Sequence, residues 1–255
     1  MNIVVAIKHV PSLADELELN DEGTNLDFDM VDFALSEWDE QAIEEAALVK
    51  EASGGTVTVV GVDVIEELDN VLHTALAKGA DKAVKIVGDF EPPVESREQA
   101  RLLADAIKEM SPDLVLTGVQ AIDDLNGQIG PMLAAHLDMP YVGVVVGMRA
   151  ISGTATVEKE YAGGVTAEFK VSLPLVVGIQ AAAQPPRYAP VSKIRQMAKT
   201  AVIDEIEADE ADFEPVPINK MAKPVAAGHA EMIGGDPEEV AAKIIGLIRE
   251  RGLLA

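Results

Sequence analysis

Cysteine is absent from all 255 residues, which removes disulfides, thiolate metal ligands and a cysteine nucleophile, and fits a reducing compartment. Positive charge is scarce: 20 Lys and Arg stand against 44 Asp and Glu, a net charge of −24. That balance excludes nucleic acid or an anionic membrane surface as the main partner. No apolar run is long enough to span a bilayer, so direct membrane insertion is not expected. Met1-Asn-Ile opens straight into a strand without a basic leader or cleavage motif, so a cytoplasmic location is expected. Catalytic signatures are missing too, with no Gly-x-Ser-x-Gly and no Gly-Lys-Ser/Thr phosphate loop. His9, His73, His136 and His229 have no metal-ligand spacing, and adjacent Asp123 and Asp124 diverge rather than form a proton-sharing dyad. The expectation is a chain with no catalytic residues and no metal site of its own.

What is present is enough for a folded domain. Apolar residues make up 48% of the chain and mean hydropathy is positive, which argues against acid-driven disorder. Two readings of the acidity remain: a docking face for a basic partner, or a whole surface kept hydrated at high salt. The carboxylates are spread over most segments, which favours the halophile-like surface.

Along the chain, Asn2 to Val10 is a nearly continuous β-branched run, expected as a buried parallel strand ended by Pro11. Leu17 to Phe28 alternates around Asn20-Asp-Glu-Gly23, so a hairpin insertion is expected near 17–30. A helix follows from about Ser36 to Ala52, with Ile43, Ala46 and Ala47 at helical spacing, closed by Ser53-Gly54-Gly55. Trp38 near its start reads as a partly buried anchor. Thr56–Val62 and Ala83–Val87 read as strands; Leu68, Val71, Leu72, Ala75 and Leu76 mark a helix ended by Gly79. Leu103, Ala106, Ile107 and Met110 mark another, and Asp113 to Thr117 is the next strand. Such alternation implies a parallel doubly wound sheet, with ligands beyond the carboxyl ends of the strands. Lys8, Val62 and Gly118 all lie at strand exits, where a single pocket collects them.

Beyond Tyr141 come four β-type runs, Val142–Met148, Thr154–Tyr161, Val165–Val171 and Leu175–Ile179, with a Gly163-Gly164 turn, expected as antiparallel additions to the sheet. A short helix is expected over Val191 to Met197, and the charge run Asp204 to Asp212 reads as a solvated linker. Asp236-Pro237-Glu238-Glu239 starts a terminal helix with Val240, Ile244, Leu247 and Ile248 on one face. This divides the chain into an α/β nucleotide-binding domain over 1–184 and a C-terminal arm over 185–255.

Gly118-Val-Gln-Ala-Ile-Asp-Asp-Leu-Asn-Gly-Gln-Ile-Gly-Pro-Met132 organises the rest. A strand, a glycine-bearing turn and a helix start place free backbone N–H groups around one concavity, suited to a phosphate-bearing ligand. Spacing alone favours an ordinary βα connection with glycines serving backbone geometry, since a lone glycine-bearing turn is weak evidence.

Gln120-Ala-Ile-Asp-Asp124 followed by Gln128 resembles the signature loop of the β (small) subunit of electron transfer flavoproteins. Further similar pieces are Val4-Val-Ala-Ile-Lys-His-Val-Pro11, Trp38-Asp-Glu-Gln-Ala-Ile-Glu-Glu-Ala46, Ala75 to Lys82, Leu173-Pro-Leu-Val-Val177 and Pro186-Arg-Tyr-Ala189, in the family's order. The resemblance implies an adenine nucleotide alpha hydrolase-like sheet and a heterodimer with an α subunit that holds most of the FAD. In that family the β subunit completes the flavin cleft and binds a structural AMP. Electrons pass from acyl-CoA-type dehydrogenases to a quinone oxidoreductase. Carried onto this chain, the nucleotide site comprises Ala6, Ser36, Glu37, Trp38, Asp39, Val62, Gly118, Val119, Gln120, Ala121, Ile122, Asp123, Asp124, Leu125, Asn126, Gly127, Gln128 and Ile129. Arg187, Tyr188, Val191 and Ile194 correspond to the partner-binding segment, with Val191 at the position of the family's anchoring leucine. Ala162 stands where the family has an acidic turn residue. One branch of the family binds a second FAD in place of AMP and bifurcates electrons. Gln128-Ile-Gly-Pro131 leans toward that branch, and Asp123-Asp124 leans toward the AMP type. A stand-alone universal-stress-type regulator is a further alternative, opposed by the tail beyond Pro185. A nucleotide-dependent ligase or pyrophosphatase is opposed by Ser53-Gly54-Gly55, which follows a helix rather than a strand.

Overall fold

The computed structural model describes residues 1–14, 16–208, 217–224, 228 and 230–253. Its first compact unit, Met1–Met221, is built on β1 (Asn2–Ala6), β4 (Thr56–Val62), β5 (Lys82–Val87), β6 (Leu114–Gly118), β7 (Tyr141–Ile151), β8 (Thr154–Tyr161), β9 (Val165–Ser172), β10 (Leu175–Ile179) and β11 (Ile203–Glu207). These nine strands form one sheet in the order β11-β5-β4-β1-β6-β10-β7-β8-β9. Each pairing from β11 to β7 is parallel, and β7-β8 and β8-β9 are antiparallel.

Strand periodicity sorts the core into two layers. Ile3, Val5, Val57, Val59, Leu114, Leu116, Leu175 and Val177 face one side with α1 (Glu37–Ser53) and α2 (Leu68–Ala77). Val4, Ala6, Val60, Val62, Val115 and Val176 face the other with α3 (Ser96–Met110) and α4 (Ile129–Leu137). Apolar side chains alternating to both faces are what a doubly wound parallel sheet requires. The α/β class read from the sequence is therefore the fold observed, with the antiparallel ribbon at one edge.

Five details differ from the sequence reading, one being that β10, expected as an antiparallel addition, lies between β6 and β7 and runs parallel to both. The first strand stops at Ala6, and residues His9–Pro11 form a separate strand, β2, paired antiparallel with β3 (Phe33–Leu35). The break comes where the Lys8 N–H leaves the sheet for the Asp39 carboxylate, at 2.8 Å. The hairpin near 17–30 carries a single bridge, Leu19 to Leu26, and ends in a 3-10 turn over Phe28–Met30. The charge run is not a plain linker: Ile203–Glu207 is β11, an edge strand whose Ile203 and Ile206 pack against opposite core layers. Two isoleucines three residues apart among carboxylates hide that strand from composition; residues 209–212 of the run lie outside the described residues. Finally, the compact unit continues past residue 184 to Met221, because α5 (Val191–Thr200) packs on α2 and β11 joins the sheet.

Ala222–Ala255 is a second unit. It contains α6 (Pro237–Glu250), where the Asp236 side chain accepts from the Glu238 and Glu239 N–H groups, the cap expected from Asp-Pro-Glu-Glu. Ile244, Ile245 and Leu247 of that helix are each exposed. Among the described residues no helix is long and apolar enough to cross a membrane. His229 lies outside the described residues.

Candidate functional site

The exits of β1 and β6 are neighbours because their strands are paired, Val5 opposite Leu116. Asp39, in the first turn of α1, joins them: Oδ2 accepts from the Lys8 N–H at 2.8 Å and Oδ1 from the Gly118 N–H at 3.0 Å. Burial pushes this carboxyl up to about 7; the two backbone bonds and the Lys8 charge oppose the rise, and Asp123 adds to it. Gly118 is needed for the approach. A Cβ there would lie 2.6 Å from Asp39 Oδ1 and 2.7 Å from Trp38 Cβ. The glycine thus serves the packing of α1 on the strand exit, one of the two roles its position in the sequence allows.

After Gly118 the chain turns back on itself. Leu125 N–H donates to the Ala121 carbonyl at 2.8 Å, and Leu125 and Gly127 adopt left-handed backbone at φ +53° and +61°. Asp124 does not cap the following helix: Oδ1 takes the Asn126 N–H at 2.9 Å, and the α4 cap position, Gln128, makes no side-chain cap bond. Lys8 Nζ reaches Asp123 at 2.6 Å and Asp124 at 3.2 Å, so the adjacent aspartates share a cation rather than a proton.

These pieces enclose a narrow cavity of about 40 Å³, smaller by itself than a small-molecule site, and it lies beside a recess of about 680 Å³. Of the residues read from the sequence, Ala6, Asp39, Gly118, Val119, Gln120, Ala121, Asp124, Gly127, Gln128 and Ile129 line it, with Lys8 beside them. A wider open recess adjoins it and shares Lys8, Gln99, Asp124 and Gln128; Val62, Asp123 and Asn126 belong to this recess. Ser36, Glu37, Trp38, Ile122 and Leu125 line neither. Ser36 is buried at the start of α1, and Leu125 is 61% exposed.

Helix α3 contributes side chains that the sequence reading missed. Gln99 and Leu103 line the cavity, and Ser96 Oγ contacts Asp124 Oδ2 at 3.4 Å. Thr117, the residue before Gly118, lines it as well. The available signal for Thr117 was a lone polar residue at a core-facing position of an apolar strand. For α3 the sequence carried none, since its Gln and Ser read as ordinary helix surface.

The four residues matched to a partner-binding segment differ in exposure and bonding. Arg187 is engaged inside the chain: Nε and Nη2 donate to Glu44 at 2.8 and 2.9 Å, and Nη1 to Glu51 at 2.9 Å. Burial raises the Glu44 carboxyl, but the Arg187 bonds outweigh it and hold the group below its ordinary value. Tyr188 is 82% exposed and Val191 is exposed; Ile194 is half-buried on α5. Among the described residues, no group of three or more His, Asp or Glu side chains is placed to hold a metal ion.

A family model described as the electron transfer flavoprotein domain matches residues 26–211. The chain is 34% identical over 262 residues to the electron transfer flavoprotein subunit beta of Methylophilus methylotrophus, covering 98% of each chain. It is 31% identical over 258 residues to the subunit of the same name from Bacillus subtilis (strain 168), again covering 98% of each. The mitochondrial electron transfer flavoprotein subunit beta of Oryza sativa subsp. indica is 32% identical over 216 residues, 84% of this chain and 85% of that one.

Proposed function

The chain belongs to the electron transfer flavoprotein β-subunit family, and from that premise we propose that it is the small subunit of a heterodimer holding AMP in the cavity between β1, β6 and α4 together with the recess beside it. Its α partner supplies most of the FAD site, and this chain completes it. The heterodimer takes electrons from acyl-CoA-type dehydrogenases and passes them to a quinone oxidoreductase. The observation that carries the nucleotide assignment is the convergence of two strand exits and a helix start on one cavity, clamped by Asp39.

The residues present fit an adenine nucleotide. The first turn of α4 leaves its leading N–H groups without intrahelical partners and carries no acidic residue, which favours an anionic phosphate there. Ala6 and Ile7 at the β1 exit offer backbone and apolar surface for a base, and Lys8 offsets part of the charge of the two aspartates on the rim. FAD, when bound, supplies the electron-carrying chemistry, and the protein supplies orientation and exclusion of water. The exposed Tyr188, Val191 and apolar face of α6 are surfaces for the partner subunit or the dehydrogenase.

A second reading is supported by the wide recess next to the cavity: a larger nucleotide, a second FAD, extends from one into the other past Lys8 and Gln128. Denaturing the co-purified heterodimer and counting released nucleotides separates the two. One AMP with one FAD supports the first, and two FAD support the second. A colourless homodimer carrying ATP or AMP would overturn both in favour of a stand-alone regulator.

A further inference from the structure

Thr117 ends the inward-facing row of β6. Leu114 and Leu116 pack with α1 and α2, Val115 packs with α3 and α4, and alternation carries Thr117 to the same side as Val115. The residue is 2% exposed, and its Oγ1 has no hydrogen-bond partner among the described residues. A buried hydroxyl without a partner destabilises a fold, and valine would fill the same space without that penalty. Two other buried side-chain atoms among the described residues share this condition, His9 Nδ1 and Ser36 Oγ, but neither residue lines the cavity that Thr117 lines.

The position of the hydroxyl says what would meet it. A Cβ built on Gly130 lies 3.0 Å from Thr117 Oγ1, so the hydroxyl sits under the first turn of α4. That turn has no acidic residue, a property shared only with α5 among the described helices; α1, α2, α3 and α6 each carry one or more in theirs. In a chain of net charge −24, the unmet hydroxyl and the positive end of a helix dipole converge on one cavity. An anionic group able to accept a hydrogen bond satisfies both.

We propose that Thr117 contacts the ligand, its Oγ1–H donating to a phosphate oxygen of the nucleotide seated on the first turn of α4, and that it selects phosphorylated nucleotides over nucleosides. This rests on the reading of the cavity as a nucleotide site. The test uses the full chain in complex with its α subunit, depleted of nucleotide on charcoal and titrated calorimetrically with AMP and with adenosine. Thr117→Val weakens AMP binding roughly ten- to a hundred-fold, the scale of one hydrogen bond to a charged group. Adenosine binding is unchanged in that variant, the melting temperature of the depleted complex does not fall, and Thr117→Ser retains AMP binding. Unchanged AMP affinity in Thr117→Val overturns the assignment, as does an equal loss for adenosine or a lower melting temperature of the depleted form. A wild-type complex that binds neither compound overturns the reading of the cavity itself.

Discussion

Asp39 shows how one side chain ties folding to the site. Its two oxygens are both occupied by backbone N–H groups, from Lys8 and Gly118, so it shapes the cavity through the strand exits. The buried carboxyl is raised from 3.8 to about 7. Between those values the folded chain holds a proton that the unfolded chain has released, so the Asp39 contribution to stability is greatest at the acid end and declines as pH rises. Above about 7 it levels off. Urea unfolding of wild type and Asp39→Asn from pH 4 to 8 should show the wild type losing stability relative to the variant across that window. A difference that does not vary with pH would count against it. The sequence placed Asp39 in the site by resemblance, but its clamping role depends on partners 31 and 79 residues away.

At the scale of elements, α1 is the member that gathers the distant parts of the chain. Glu45 is fully buried and accepts from the Met148 N–H on β7 and the Ala183 N–H after β10, both at 2.7 Å. Gln41 Oε1 takes the Ala182 N–H at 2.9 Å, and Glu44 holds Arg187. Burial raises the Glu45 carboxyl, and the two N–H bonds oppose the rise. Glu45→Ala leaves the buried Met148 donor unmet, while the N–H of the exposed Ala183 can turn to water, so unfolding free energy should fall by about 1–3 kcal/mol, and by less for Glu45→Gln, whose amide oxygen still accepts one bond. A loss below about 1 kcal/mol in urea titration would sink this account. The apolar spacing of Ile43, Ala46 and Ala47 made α1 itself legible, as Asp236-Pro237 did for α6. The burial of Glu44 and Glu45 was not legible, because a pair of adjacent glutamates on a helix reads as solvated surface until the distant N–H groups are in place. Strand order was hidden for a similar reason. The four runs after Tyr141 were read as successive antiparallel additions, yet β10 returns to the slot between β6 and β7 and runs parallel to both. β10 packs there on both layers, Leu175, Val177 and Ile179 with α1 and Val176 with α4, and local pattern carries no record of it.

For the whole molecule, the question is what a net charge of −24 does to a stable α/β sheet. The buried acids among the described residues are Asp39, Glu44, Glu45, Asp63 and Glu98, and most have named partners, so the excess charge lies on the surface. Lys85 illustrates how far the few cations are stretched, since one ammonium serves Asp63, Asp69 and Glu205 together. A net charge of this size makes the surface carboxylates repel one another and oppose compaction. Screening shortens their reach from about 10 Å at 0.1 M salt to about 3 Å at 1 M. The melting temperature should therefore rise between dilute buffer and molar KCl, and the rise should saturate as the screening length falls below the spacing of surface carboxylates. If the acidity instead served a basic partner, salt would weaken the heterodimer while leaving the isolated chain's melting temperature flat. Measuring both in the same KCl series distinguishes a surface tuned to brine from a face tuned to a neighbour.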